Sequence, residues 1–249
     1  MSSENLNYRV WAGEPFGAAL DNAIPPIRLS AFMSPAHGDV NQARQLYVWD
    51  RDVAMSLLAD IAIIEVAFRN ALNRQLVEHF GVDWPCREIG LDDRSKSALS
   101  RAWKYLPPQQ RDLDHLIPLL TFGFWRNLLE SGGFVGRAPQ RFAVSYELLW
   151  RASLHRAFPG GKQLARLESA QYTRTWVLQT VSIVHAARNR AAHHEPFIAG
   201  FPLPGQKTRA NSLQAYEQCL KLARLIDRNL GNALAATSKF PEILMAQPK

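Results

Sequence analysis

The sequence predicts an all-α fold, and three observations carry that expectation. Apolar residues return every three or four positions over several long stretches, the period of a helix with one buried face. Strand signals are sparse: few alternating Val/Ile/Thr runs, and neither Asn-Gly nor Asp-Gly to turn a hairpin. Clusters of Gly and Pro fall between the periodic stretches and read as loops.

The elements follow in order. A long first helix is expected from Asp39 to Phe80, stopping at Gly81. A second runs from Asp92, where acidic residues open it, to Leu106, just before Pro107-Pro108. A third covers Asp114 to Leu129, with Pro118 in its first turn and Ser131-Gly132-Gly133 beyond its end. The loop "SGGFVGRAPQR" leads to a shorter helix from Ala143 to Arg156, and "FPGGK" breaks the chain again. Helical pattern resumes at Lys162, is interrupted near Tyr172 and continues to His194. "FIAGFPLPGQK" is a loop, and a last long helix spans Asn211 to Ala236. This organisation predicts one α-helical domain over residues 39–236, an N-terminal arm over 1–38 and a tail over 237–249.

Composition narrows the function classes. With 249 residues, 47% of them apolar, the chain can bury a sizeable core. Its formal net charge of +7 suits a polyanionic partner such as nucleic acid. The basic residues are mostly arginines spread along the chain, and Arg matches phosphate geometry in a bidentate way that Lys does not. Cys86 and Cys219 lie far apart and make neither a disulfide framework nor a metal-type pair. The opening "MSSENLNYRV" lacks the basic-then-apolar order of a secretory leader, and no apolar run approaches the roughly 18 residues of a membrane span. The expectation is a protein of the reducing cytoplasm with no membrane partner.

Two helices carry polar groups where apolar ones belong. At about 100° per residue, with Ile61 at zero, Phe68 falls at about 340° and Leu72 at about 20°. Glu65 falls inside that stripe and Arg69 on its edge. A lone buried carboxylate is costly, so Glu65 needs a partner. Either Glu65 and Arg69 form an intrahelical ion pair, four apart with the acid first, or they belong to a network that orients a catalytic arginine elsewhere. On the later helix, with Val177 at zero, Val181 falls at about 40°, Val184 at about 340° and Arg188 at about 20°. Arg188 therefore points into a core, an interface or a pocket. His193 falls at about 160°, close to the helix end that Pro196 imposes. It is either a helix-end histidine or a proton carrier.

No His-x-x-x-His or H-E-x-x-H spacing is present, so no metal site is expected. Phosphate-loop, dinucleotide-binding and nucleophile-elbow spacings are absent as well, and no cofactor is expected.

"RNRAAH", Arg188 to His193, resembles the Arg-polar-x3-His signature of HEPN domains. "RNRAAHHEP" at a helix end is similar to the second motif of the Abi-like family of bacterial abortive-infection proteins. "LYVWDRDVAMSLLADIAIIEVAFRNALNRQL", Leu46 to Leu76, resembles that family's first motif, and "LTFGFWRNLL", ending at Leu129, also resembles it. The resemblance covers roughly Leu46 to Phe197. It implies a HEPN-like helical bundle with additional helices, a homodimer, and a metal-independent endoribonuclease acting in phage defence or a toxin–antitoxin system. Two copies of the motif would meet in one composite site. Arg188, Asn189 and His193 would be catalytic; Glu65, Arg69, Asn70 and His194 would support them. RNA would be the substrate, and an antitoxin or regulatory partner would restrain the enzyme. The competing expectations are a non-catalytic RNA- or nucleotide-binding or dimerisation module, and a protein whose alanine-rich faces serve only as partner surfaces.

Overall fold

A computed structural model of the chain describes residues 7–203 and 207–249. Residues 1–6 of the expected arm and 204–206 of the expected "FIAGFPLPGQK" loop lie outside the described residues. The described chain is all-α. Its helices are α1 (Phe16–Ala23), α2 (Pro26–Met33), α3 (Val40–Phe80), α4 (Asp93–Tyr105), α5 (Leu113–Leu119), α6 (Phe122–Asn127), α7 (Tyr146–Ala152), α8 (Gly161–Leu167), α9 (Arg174–Ala192), α10 (Ser212–Ile226), α11 (Arg228–Thr237) and α12 (Phe240–Met245). Two small antiparallel hairpins complete it: β1 (Phe134–Val135) with β2 (Phe142–Ala143), and β3 (Phe201–Pro202) with β4 (Arg209–Ala210). β1 and β3 fall in stretches expected to be loops, whereas Ala143 of β2 was expected to begin a helix.

The differences from the expected elements have local causes. The expected third helix is two. Pro118 sits near the end of α5 rather than in a first turn; Leu120 turns extended, and the Thr121 hydroxyl accepts from the Phe124 N–H at 3.3 Å to start α6. A side-chain oxygen at this position satisfies an otherwise unpaired N–H of the new helix. The expected last helix also breaks. Asp227 Oδ1 accepts from the N–H groups of Asn229 (2.6 Å) and Leu230 (3.1 Å), which ends α10 and caps α11. The interruption near Tyr172 is present, because Thr173 Oγ1 accepts from the Trp176 N–H at the start of α9.

The chain divides into two compact units. One comprises Met1–Ile61, Ala186–Gln218 and Ala235–Lys249; the other comprises Ala62–His185 and Cys219–Leu234.

In the first unit, the arm forms α1 and α2. Asp21 of α1 is ion-paired to Arg44 of α3, which holds the Asp21 carboxyl below the usual carboxylate range. The Trp49 indole N–H donates to the Ile243 carbonyl of α12 at 2.8 Å. Phe240 stacks on Tyr216 with centroids 4.7 Å apart. Asp60 accepts from the Ser238 hydroxyl at 2.6 Å, and burial pushes its carboxyl pKa up.

The second unit is built around aromatic rings. Phe68 stacks on Phe122 at 5.3 Å, and Trp84 meets Trp125 edge-on at 6.2 Å. All four rings are buried. The Asp92 side chain caps α4 through the Ser95 N–H. Beside it, the Tyr146 hydroxyl lies 2.7 Å from Ser95 Oγ, and burial pushes its pKa up to about 12.

Candidate functional site

The helix that carries the signature closes with a defined geometry. The last residue of α9 is Ala192. The His194 N–H donates to the Ala191 carbonyl at 3.1 Å, and the Glu195 N–H reaches back to the Arg190 carbonyl at 3.0 Å. These two bonds make a Schellman close, which requires a left-handed residue at the position His194 occupies. His194 has φ 55°, a conformation that glycine adopts far more easily than a residue with a Cβ.

After this turn the chain runs to Gly200 without forming helix or strand, so its main-chain groups need other partners. Charged side chains supply them. The buried Asp50 of α3 accepts from the Phe197 N–H through both oxygens, at 3.1 and 2.9 Å. Arg28 Nη1 donates to the His194 carbonyl at 2.6 Å. Arg190 Nε donates to the Pro196 carbonyl, and its Nη1 pairs with Glu195 at 3.3 Å. Arg209 donates to the carbonyls of Ala199 (3.2 Å) and Gly200 (2.7 Å). Gly200, at φ 68°, lets β4 approach: a Cβ there would sit 2.6 Å from the Ala210 carbonyl oxygen.

Burial dominates the electrostatics. It pushes the Asp50 carboxyl up to about 6, against the pull of the Phe197 and Ile198 N–H groups and of Arg190. Burial likewise draws the Arg190 guanidinium down. A cavity of about 750 Å³ opens beside this segment, within the first unit. Arg28, Asp50, Arg51, Arg190, His194 and Arg209 contribute to its lining.

The expected site residues are distributed as follows. Arg188 and Asn189 are half-buried on the last turns of α9, and Val177, Val181, Val184, Ala187 and Ala191 form the buried stripe expected around Arg188. His193 is exposed, with its N–H on the Asn189 carbonyl at 2.9 Å. His194 lines the cavity, whereas Arg188 and His193 do not. Glu65, Arg69 and Asn70 belong to the second unit. There Glu65 and Arg69 are half-buried, and Arg69 Nε is buried without a hydrogen-bond partner, so this nitrogen is not what holds Glu65. Asn70 is exposed and lines a cavity of about 420 Å³ together with Arg74, Arg156 and Asp227.

Sequence reasoning passed over Asp50 and Arg190. Asp50 was findable: with Ile61 at zero it falls at about 340°, inside the apolar stripe of α3. Arg190 was not, because it falls at about 220° from Val177, off the stripe, and only the returning segment covers it. Among the described residues no group of three or more His, Cys, Asp and Glu side chains could hold a metal ion, and no helix is long and apolar enough to cross a membrane.

Comparison of the chain with protein-family models, with curated proteins and with solved structures finds no match in any of the three.

Proposed function

We propose that the chain is a metal-independent endoribonuclease of the HEPN type, related to the Abi-like abortive-infection proteins and acting from the cytoplasm in phage defence or a toxin–antitoxin system. The observation that carries this reading is the end of α9. It presents an exposed imidazole at His193, in a turn fixed by main-chain bonds, five residues after the half-buried Arg188.

RNA brings its own nucleophile, the 2′-hydroxyl beside the scissile phosphate, so the protein must supply orientation, proton transfer and charge stabilisation. His193 takes the 2′-hydroxyl proton as that oxygen attacks phosphorus, since imidazole exchanges protons near neutral pH. Arg188 stabilises the charge that develops on the phosphoryl oxygens. Asn189 orients the phosphate by hydrogen bonding. The bond from phosphorus to the 5′ oxygen breaks, and that oxygen receives a proton from the imidazolium of a second copy. The products are a 2′,3′-cyclic phosphate and a 5′-hydroxyl. On one ideal helix Arg188 and His193 diverge by about 140°, which supports a site assembled from two copies.

The test is cleavage of RNA by the purified chain in excess EDTA. His193→Ala and Arg188→Ala each reduce the rate by about 10²–10⁴-fold. Equal cleavage by wild type and both variants sinks the reading, and a monomer at micromolar concentration sinks the two-copy site. Salt-sensitive RNA binding without turnover favours a binding module instead.

A further inference from the structure

The cavity of the first unit is charged in a way that the proposed cleavage chemistry does not use. Four guanidiniums line it, those of Arg28, Arg51, Arg190 and Arg209, against the carboxyls of Asp50 and Glu195. Arg51 is paired with Asp52 at 2.7 Å, and Arg190 with Glu195 at 3.3 Å. Arg28 and Arg209 bond main-chain carbonyls, which accept hydrogen bonds but carry no net charge to neutralise a guanidinium. With Asp50 ionised at neutral pH, the four guanidiniums stand against the carboxylates of Asp50, Asp52 and Glu195, which leaves one positive charge in excess at this opening.

These groups also converge. Arg28, Arg190 and Arg209 come from α2, α9 and β4, yet all three bond carbonyls of the single segment His194–Gly200. Backbone satisfaction alone does not require them. Arg28 and Arg209 are exposed residues, and a carbonyl at such a surface can be satisfied by water. Part of the lining is apolar. Ile27 and Met55 belong to it, with 79% and 49% of their surfaces exposed, beside Ala31, Ala54 and the ring of Tyr47. The volume of about 750 Å³ lies in the range of small-molecule sites, roughly 300–1,000 Å³.

A fatty acid would need one cation and a deep apolar tunnel. A gathered set of guanidiniums instead matches a head group with several anionic oxygens, which arginine binds through paired N–H donors. We infer that this cavity is a binding site for an organic phosphate: a phosphate or diphosphate head group is held by Arg28, Arg190 and Arg209, and an apolar body lies against Ile27, Tyr47 and Met55. The inference does not depend on the cleavage reading, because neither Arg188 nor His193 lines the cavity.

Calorimetric titration of the full chain tests it, with three probes: inorganic pyrophosphate, a nucleoside diphosphate and an isoprenyl diphosphate. The expected result is that at least one organic diphosphate binds about tenfold or more tighter than pyrophosphate. The better of the two tells an aromatic body from an aliphatic one. Arg28→Gln and Arg209→Gln each weaken binding about tenfold, as loss of a charged hydrogen bond should. Ala31→Trp, which fills the opening from an exposed position, abolishes it, and circular dichroism checks that each variant is folded. The inference is overturned if no probe binds, if pyrophosphate binds as tightly as both organic diphosphates, or if folded Arg28→Gln and Ala31→Trp bind like wild type.

Discussion

The segment Leu120–Leu129 of the second unit and the segment Ala186–Phe197 of the first each carry an Arg-Asn pair near a helix end, and different forces hold them in place. In the former, Phe122, Phe124, Trp125, Leu128 and Leu129 are buried, and the arginine is an accessory: Arg126 pairs with Glu130 at 2.9 Å and donates to Ser182 at 3.3 Å. In the latter, alanines and one phenylalanine are buried, and charged side chains satisfy the main chain. One segment is a piece of core whose polar letters are trimming. The other is a turn whose polar letters are its structure. A motif rich in Arg, Asn and His therefore has a structural task to discharge before any chemistry is assigned to it.

The largest effect separating the two should come from the aromatic segment. Trp125 is fully buried between Trp84 and Phe124, with ring centroids at 6.2 and 5.1 Å. Trp125→Ala removes that burial and leaves a cavity, at a cost of about 3–5 kcal/mol. Urea unfolding of the full chain reads it. A loss under about 1 kcal/mol would mean that aromatic packing does not hold this segment.

The next effect is a pH dependence peculiar to the polar segment. The folded state keeps the Asp50 proton up to about pH 6, whereas an ordinary carboxyl releases it near 3.8. Between those values the folded chain binds more protons than the unfolded one, so this group's contribution to stability falls as pH rises through the window and is constant above it. A displacement of about two units corresponds to about 3 kcal/mol. Asp50→Asn keeps an oxygen for the Phe197 N–H but does not titrate. Unfolding free energies of wild type and variant should diverge by up to about 3 kcal/mol between about pH 4 and about pH 7, with wild type losing ground as pH rises. Parallel curves would show that the carboxyl is not buried as described.

How much of this was legible depends on whether the cause is local. The long helices were, because their stripes and their Gly and Pro stops are local: Leu57, Ile61, Ile64, Phe68 and Leu72 are all fully buried, as the periodicity requires. The breaks inside expected helices were missed, because each turns on one capping oxygen, Thr121 in one case and Asp227 in the other. Arg188 was legible from its place in the stripe of α9, and Asp50 would have been by the same test on α3. Arg28 and Arg209 were not. They meet the exit segment only through tertiary folding, Arg28 across 166 residues of sequence. The catalytic assignment of Asn189 and His193 came from the resemblance, and burial adds no preference for it.

The smallest effect lies at His194, in the turn that closes α9. Its φ of 55° places a residue with a Cβ where helices commonly end in glycine. The imidazole lines the cavity, and the turn around it is held by the bonds from Glu195 and Arg28. Comparing His194→Gly with His194→Ala separates the backbone from the side chain, since both remove the imidazole and only alanine keeps the Cβ. The glycine variant should be the more stable of the two by about 1 kcal/mol, less than the bare left-handed preference because glycine also loosens the unfolded chain. Urea midpoints of the full chain measure the difference. Equal stability would mean that His194 is not held left-handed in solution, and the bonds from Glu195 to Arg190 and from Arg28 to the His194 carbonyl would lose their geometric basis with it.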